Sequence, residues 1–311
     1  MHQSHPRYFD LSHFSLLEIS GSDAFGFMHG QITADLNQLE TQGWLFSAWC
    51  LPNGRVIGTF IVYANNDSLL MILPSMLKEK IRQRLSMFIL RSQVSVNDVS
   101  EDYTLIGLSD TKIEKILQPT SISETISAGN KIQSEKVTCL KLWNHGPRYI
   151  LISKMEHVEN LMNNITAICT PGERADWSLL DIEAGMPWII NTTSELFLPQ
   201  MLNLDQMHGL SYQKGCYPGQ EVIARLYYRG QLKKMLYLGT GKADISPGAG
   251  DRLIIKNSGN VVADVIDAEL HSSGGFRLLA VAETQYANHE DLCLESAPDI
   301  AVKLQPINYP V

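Results

Sequence analysis

The 311-residue chain contains no run of about 18 apolar residues that could cross a bilayer, and no basic-then-apolar leader at its start. It therefore reads as a soluble, cytoplasmic protein. It has no excess of positive charge either: 25 Lys and Arg stand against 33 Asp and Glu, a net charge of -8. Nucleic-acid affinity rests on clustered cations, so this balance disfavours a large phosphate-binding face, and any link to RNA is expected to be indirect. The five cysteines, Cys50, Cys139, Cys169, Cys216 and Cys293, are dispersed and contain no CxxC pair. That argues against a disulfide framework or a Cys-ligated zinc site and leaves most of them to act as small buried hydrophobes. No internal repeat is evident, and the length exceeds what one core ordinarily fills, roughly 250–300 residues.

What is present reads as α+β. Phe14 to Ile19 is a β-prone run, and Ser20-Gly21-Ser22-Asp23 can cap a short helix with Ala24, Phe27 and Met28 on one face. Trp44 to Leu51 and Val56 to Tyr63 flank the turn Pro52-Asn53-Gly54-Arg55 and form a hairpin. Leu69 to Leu73 adds a strand. From Ser75, the stripe Leu77, Ile81, Leu85, Phe88, Ile89 marks an amphipathic helix whose Lys78, Lys80, Arg82, Arg84 and Arg91 belong on its solvated face rather than to a nucleic-acid patch. Strands follow at Val94 to Asn97 and Tyr103 to Leu108. Residues 110–134 lack clean periodicity, then Val137 to Leu142 and Tyr149 to Ser153 resume a hairpin before a helix near Val158 to Ile165. After Arg229-Gly230, short β-prone runs punctuated by Gly, Pro and Asn point to a small β-barrel. The expected divisions are 1–109, completed by part of 170–230, then 110–170, 171–230 and 231–311.

One octet stands apart: Lys214-Gly215-Cys216-Tyr217-Pro218-Gly219-Gln220-Glu221. Its glycines free the backbone, and Val222, Ile223 and Leu226 suggest that a helix follows. Cys216 would then sit just before a helix N-terminus, near Lys214 and with Arg225 one turn beyond Glu221, where a thiolate is favoured. The same spacing suits a buried structural cysteine in a tight turn.

The octet resembles the KGCYxGQE signature of folate-binding YgfZ proteins, relatives of the glycine-cleavage T-protein. Trp177 to Pro187 resembles an IEAGxP segment, Phe197-Leu198-Pro199-Gln200 with Asn203-Leu204 an FxPQxxNL stretch, and Gly21 to Asp35 the GxDxxxxxxGQxTxD pattern. The resemblance implies ferredoxin-like α+β units followed by a β-barrel around an opening that holds tetrahydrofolate or a one-carbon derivative. It implies that the Glu183 carboxylate binds the pterin edge, accepting two parallel hydrogen bonds. Spacing alone would favour a surface or capping role for Glu183. Trp177 and Phe14 match aromatic positions linked to folate binding, and either ring could equally be core. Trp177 is the better candidate, because Phe14 stands where a larger aromatic is expected.

Aminomethyltransferases carry paired aspartates in a GGIxDD pattern, whereas here Gly58 and Thr59 occupy those places. Neither can serve as a general base, which argues against glycine cleavage. The resemblance then implies an accessory factor for iron-sulfur cluster synthesis or repair, touching tRNA thiolation, with a functional thiol at Cys216. Its partners would be iron-sulfur enzymes or assembly proteins, met transiently. One cysteine cannot hold a whole cluster, so no metal is expected on the monomer alone. The alternatives are a one-carbon transferase or demethylase acting on an unknown amine, or a scaffold that retains a folate pocket.

Overall fold

A computed structural model describes residues 5–117, 126–128, 130–143 and 146–309. The chain folds as two compact units, each assembled from separate stretches of sequence. The first comprises Met1–Met28, Leu36–Leu45 and Phe60–Trp177; the second comprises His29–Asp35, Phe46–Thr59 and Ser178–Val311.

In chain order the first strands are β1 (Arg7–Asp10) and β2 (Phe14–Ser20), followed by helix α1 (Ala24–His29) and the single turn α2 (Leu39–Gln42). The hairpin expected around Pro52-Asn53-Gly54-Arg55 is β3 (Trp44–Cys50) and β4 (Val56–Asn65). Next come β5 (Ser68–Pro74), α3 (Ser75–Ser86) and β6 (Ser95–Asp98). These strands form one sheet in the order β3-β4-β5-β2-β6. Leu77, Ile81 and Leu85 are the buried stripe of α3, as their spacing requires. Phe88 and Ile89, read as a continuation of that stripe, lie beyond the helix. Tight i to i−3 turns, Leu85 O to Phe88 N and Ser86 O to Ile89 N, end it, and Phe88 is exposed.

The second sheet draws on both ends of the first unit. Strand β7 (Tyr103–Ser109) and helix α4 (Ile113–Leu117) are followed by β8 (Ile126–Ala128), β9 (Lys131–Gln133), β10 (Val137–Lys141), β11 (Arg148–Lys154), α5 (Val158–Thr166) and β12 (Thr170–Pro171). The sheet order is β12-β1-β7-β11-β10-β9-β8. Strand β1, too short for its alternation to be noticed in the sequence, pairs antiparallel with β7. Ile106, Leu108, Cys139, Leu151, Leu161 and Ile165 form the core between this sheet and helices α4 and α5.

In the second unit, α6 (Arg174–Glu183), which begins in the first, is followed by irregular chain, α7 (Gln220–Arg229) and a closed barrel. Its strands are β13 (Lys234–Gly241), β14 (Arg252–Ile255), β15 (Val261–Leu270), β16 (Phe276–Glu283), β17 (Leu292–Leu294) and β18 (Ala297–Gln305). Four of the six were legible as β-prone runs. The last two were not, because β17 is three residues long and the burial of β18 alternates only near its end. Leu253, Val265, Phe276, Leu278 and Ala280 fill the barrel. No helix among the described residues is long and apolar enough to cross a membrane.

Candidate functional site

The octet folds as a loop followed by the first residues of α7. Gly219 caps the start of that helix, immediately before Gln220, and its φ is +84°. An added Cβ there would lie 2.6 Å from Gly54 Cα and 2.7 Å from the Leu51 carbonyl oxygen. Gly54 itself has a φ of +81°, in the turn between β3 and β4. Two glycine turns, 165 residues apart in sequence, thus pack backbone against backbone, which only residues without side chains allow. Gly215 differs: a Cβ at that position would meet nothing within 4 Å.

Lys214 holds the loop from inside. It is 9% exposed, and its ammonium donates to three backbone carbonyls: His29, Ile32 at 2.7 Å and Ala34 at 2.8 Å. Burial lowers its pKa from 10.5 to about 8, opposed by the nearby Asp35 carboxylate. The carbonyls belong to the segment around the HGQITAD motif. Thr33 in that segment donates to the Gly209 carbonyl at 2.6 Å and accepts from Ser211 N at its own carbonyl at 2.9 Å. Ser211 Oγ in turn accepts from Lys214 N at 3.2 Å. The N-terminal motif and the octet are therefore one hydrogen-bonded structure.

Tyr217 is buried beneath the loop, donating to the Ser211 carbonyl at 3.1 Å with the Lys214 ammonium 5.1 Å from its ring centre. Burial pushes its phenol well above the ordinary range. Gln220 donates to the Lys214 carbonyl at 3.4 Å, tying the helix start to the loop. Between Lys214 and Tyr217, which both point inward, Cys216 is exposed, while Cys50, Cys139, Cys169 and Cys293 are all buried. Cys216 lies three residues before Gly219, the N-cap of α7. Lys214, read from the sequence as a cation beside the thiol, instead directs its ammonium into the carbonyl cage. Glu221 and Arg225 are exposed on α7.

Glu183 ends α6 with its carboxylate partly exposed, 3.7 Å from His271 Nε2 on the turn after β15. Ahead of it in chain order, Thr59 on β4 is fully buried. It donates to the Pro187 carbonyl at 2.8 Å and accepts from Ile189 N at 2.9 Å, so its hydroxyl acts as a structural link.

The two aromatic candidates belong to the core of the first unit. Trp177 is 1% exposed, with the Arg148 guanidinium 4.1 Å from its ring centre, the Phe9 ring at 5.3 Å, and Gly107 packed so closely that a Cβ there would clash at 2.5 Å. The ring is therefore enclosed by Arg148, Phe9 and Gly107, the core alternative that its spacing left open beside stacking on a ligand. The cause is the long-range packing of β1, β7 and β11, invisible at the level of spacing. Phe14 is likewise buried, at the edge of a cavity of about 310 Å³ that Asp10, Ser12, Lys78 and Tyr103 also line.

Comparison with known proteins identifies the family. The GCVT N-terminal domain matches residues 3–137. A "tRNA-modifying protein YgfZ" of Sodalis glossinidius is 27% identical over 97% of this chain and 92% of its own. A protein of the same name from Blochmanniella pennsylvanica is 31% identical over 80% of this chain and 77% of its own. The chain belongs to the YgfZ family. Among solved structures, the glycine cleavage system aminomethyltransferase T of Bartonella henselae superposes with a TM-score of 0.80 at 14% identity, covering 98% of this chain and 86% of that one. The chain therefore shares the fold of that aminomethyltransferase.

Of the residues singled out from the sequence, Lys214, Cys216, Tyr217, Gly219 and Gln220 are brought together in one loop and helix start. Glu183 lies at the end of α6, paired with the barrel's His271. Sequence reasoning missed His271, Ser211 and Thr33. Only Thr33 carried a signal, as the threonine of the GQxTxD pattern; the other two act through contacts that no local spacing encodes. No group of three or more His, Cys, Asp or Glu able to hold a metal occurs among the described residues.

Proposed function

We propose that this protein is a tetrahydrofolate-binding accessory factor in iron-sulfur cluster synthesis or repair, acting on tRNA modification through iron-sulfur enzymes, with the Cys216 thiol as its working group. The observation that carries this reading is the contrast among cysteines: four are buried, and the fifth is exposed on a loop held from below by Lys214 and Tyr217. A thiol so presented can reach a client protein or cluster while its backbone stays fixed, and fixed geometry is what a reactive group needs. The family's name and the fold it shares with an aminomethyltransferase support the connection to tRNA and to folate.

The donor set fits folate in part. Glu183 is a partly exposed carboxylate, and His271 leaves it able to accept the paired hydrogen bonds of an amino-pyrimidinone edge. Trp177 and Phe14 would support the fold around it rather than touch the ligand. Bound tetrahydrofolate would supply an amine able to carry a one-carbon unit. Glu183 would orient its ring, and Cys216 would make the thiol-dependent contact. Thr59, already donating to and accepting from the backbone, supplies no base, which supports a reading other than glycine cleavage.

The test is complementation of a strain lacking its own YgfZ-type protein, with iron-sulfur-dependent tRNA thiolation as the readout. Wild type should restore it and Cys216→Ala should not. Full rescue by the variant would remove the thiol from the account.

A further inference from the structure

The whole-chain charge conceals a local reversal around the end of α7. Between residues 225 and 234, Arg-Leu-Tyr-Tyr-Arg-Gly-Gln-Leu-Lys-Lys, four cations stand with no carboxylate, in a chain of net charge -8. Arg225, Tyr228 and Arg229 lie three and four residues apart on α7 and so share a face. Arg225, Arg229 and Lys233 are exposed and make no ion pair among the described residues, whereas Lys234 is paired with Asp264 at 3.4 Å. Glu221, one turn earlier, is the face's single anion.

The aromatics on this helix are open in a way that buried rings are not. Tyr227 is 56% exposed and Tyr228 66%. Tyr227 stacks on Tyr212 at 3.9 Å, with 17° between the planes, which fixes its orientation. Tyr228 meets it edge-on at 4.9 Å and 81°. Exposed rings held in place by one another, with Arg225, Arg229 and Lys233 close by in sequence, make up a platform for unstacked bases and their phosphates. An acidic protein surface would satisfy the cations but would leave two fixed tyrosine faces unused.

We propose that the exposed face of α7 and the residues just beyond it contact unpaired nucleotides of RNA, with a base stacked on Tyr228 and phosphates against Arg229 and Lys233. The inference rests on the tRNA-linked reading above and names a surface for it. A platform of this size is compatible with the acidic whole, because it contacts a short single strand rather than a long duplex.

Fluorescence anisotropy on the full chain tests it, using labelled oligouridylate, an RNA duplex of equal length, and polyglutamate as an anion without bases. The single strand should bind more tightly than the duplex, Tyr228→Ala should weaken it about tenfold, and Tyr228→Phe should retain it. Arg229→Gln with Lys233→Gln should flatten the salt slope by about 1.4. Unchanged thermal melting would confirm that these surface variants are folded. Equal binding by Tyr228→Ala, equal affinity for the duplex, or equal competition by polyglutamate would each overturn the proposal, the last by assigning the face to an acidic protein. Complementation by Cys216→Ala is scored separately, so the platform can fail while the thiol reading stands, and the reverse.

Discussion

Each unit buries a cation under an aromatic ring, and the two serve different ends. In the first, the Arg148 guanidinium lies 4.1 Å from the centre of the Trp177 ring, deep between strands and helix. In the second, the Lys214 ammonium is caged by three carbonyls near the Tyr217 ring. The arginine sits within a regular sheet and completes a core. The lysine ties together irregular segments that make few backbone pairs of their own, and the residue two places on is the exposed Cys216. A buried charge in a sheet is a packing element. A buried charge under a loop fixes the geometry of whatever that loop presents.

The comparison predicts unequal losses. Trp177→Ala should have the largest effect, about 3–5 kcal/mol by urea denaturation, because it opens a cavity and uncovers Arg148. Trp177→Phe should cost much less and keep folate affinity; if folate binding is lost in that folded variant, the ring touches ligand and the core assignment is wrong.

Lys214→Met should cost about 2–4 kcal/mol, since three carbonyls lose their donor. The same residue carries a pH signature. With its folded pKa near 8 against 10.5 in the free side chain, the unfolded chain holds a proton that the folded one has released between those values. Stability should therefore rise with pH across that window, by at most about 3 kcal/mol, and the rise should be absent in Lys214→Met. A parallel pH profile in the variant would show that the ammonium is not strained by its burial.

Two glycines of one motif sharpen the picture. Gly219→Ala should destabilise by about 2 kcal/mol, through its positive φ and the approach of Gly54. Gly215→Ala should stay within about 0.5 kcal/mol, because open space surrounds it. Equal effects would mean that the glycine-on-glycine contact is unimportant. Glu183→Gln should leave the melting temperature unchanged and weaken tetrahydrofolate binding about tenfold, measured by calorimetry.

What could be read from the sequence divides along the same line as the two cations. Strands and helices with sustained periodicity, such as Leu77, Ile81 and Leu85 on α3, were legible because burial there follows a local rule. The octet was legible as a constellation of unusual residues. Its internal logic was not, since Lys214 answers to carbonyls at 29, 32 and 34, and Gly219 to Gly54. The surroundings of Trp177 were not legible for a related reason. An aromatic on a functional-looking segment has the same spacing whether it faces a ligand or a core, and here Phe9, Gly107 and Arg148 decided it.

The central claim is that the fold presents Cys216 for use rather than for packing. Cys216→Ser, assayed in one preparation for stability and for restoring tRNA thiolation in the deficient strain, tests it most directly. The account predicts unfolding within about 0.5 kcal/mol of wild type, as for an exposed side chain, together with loss of thiolation. A variant that restores thiolation fully, or one that fails only because it unfolds, would contradict it.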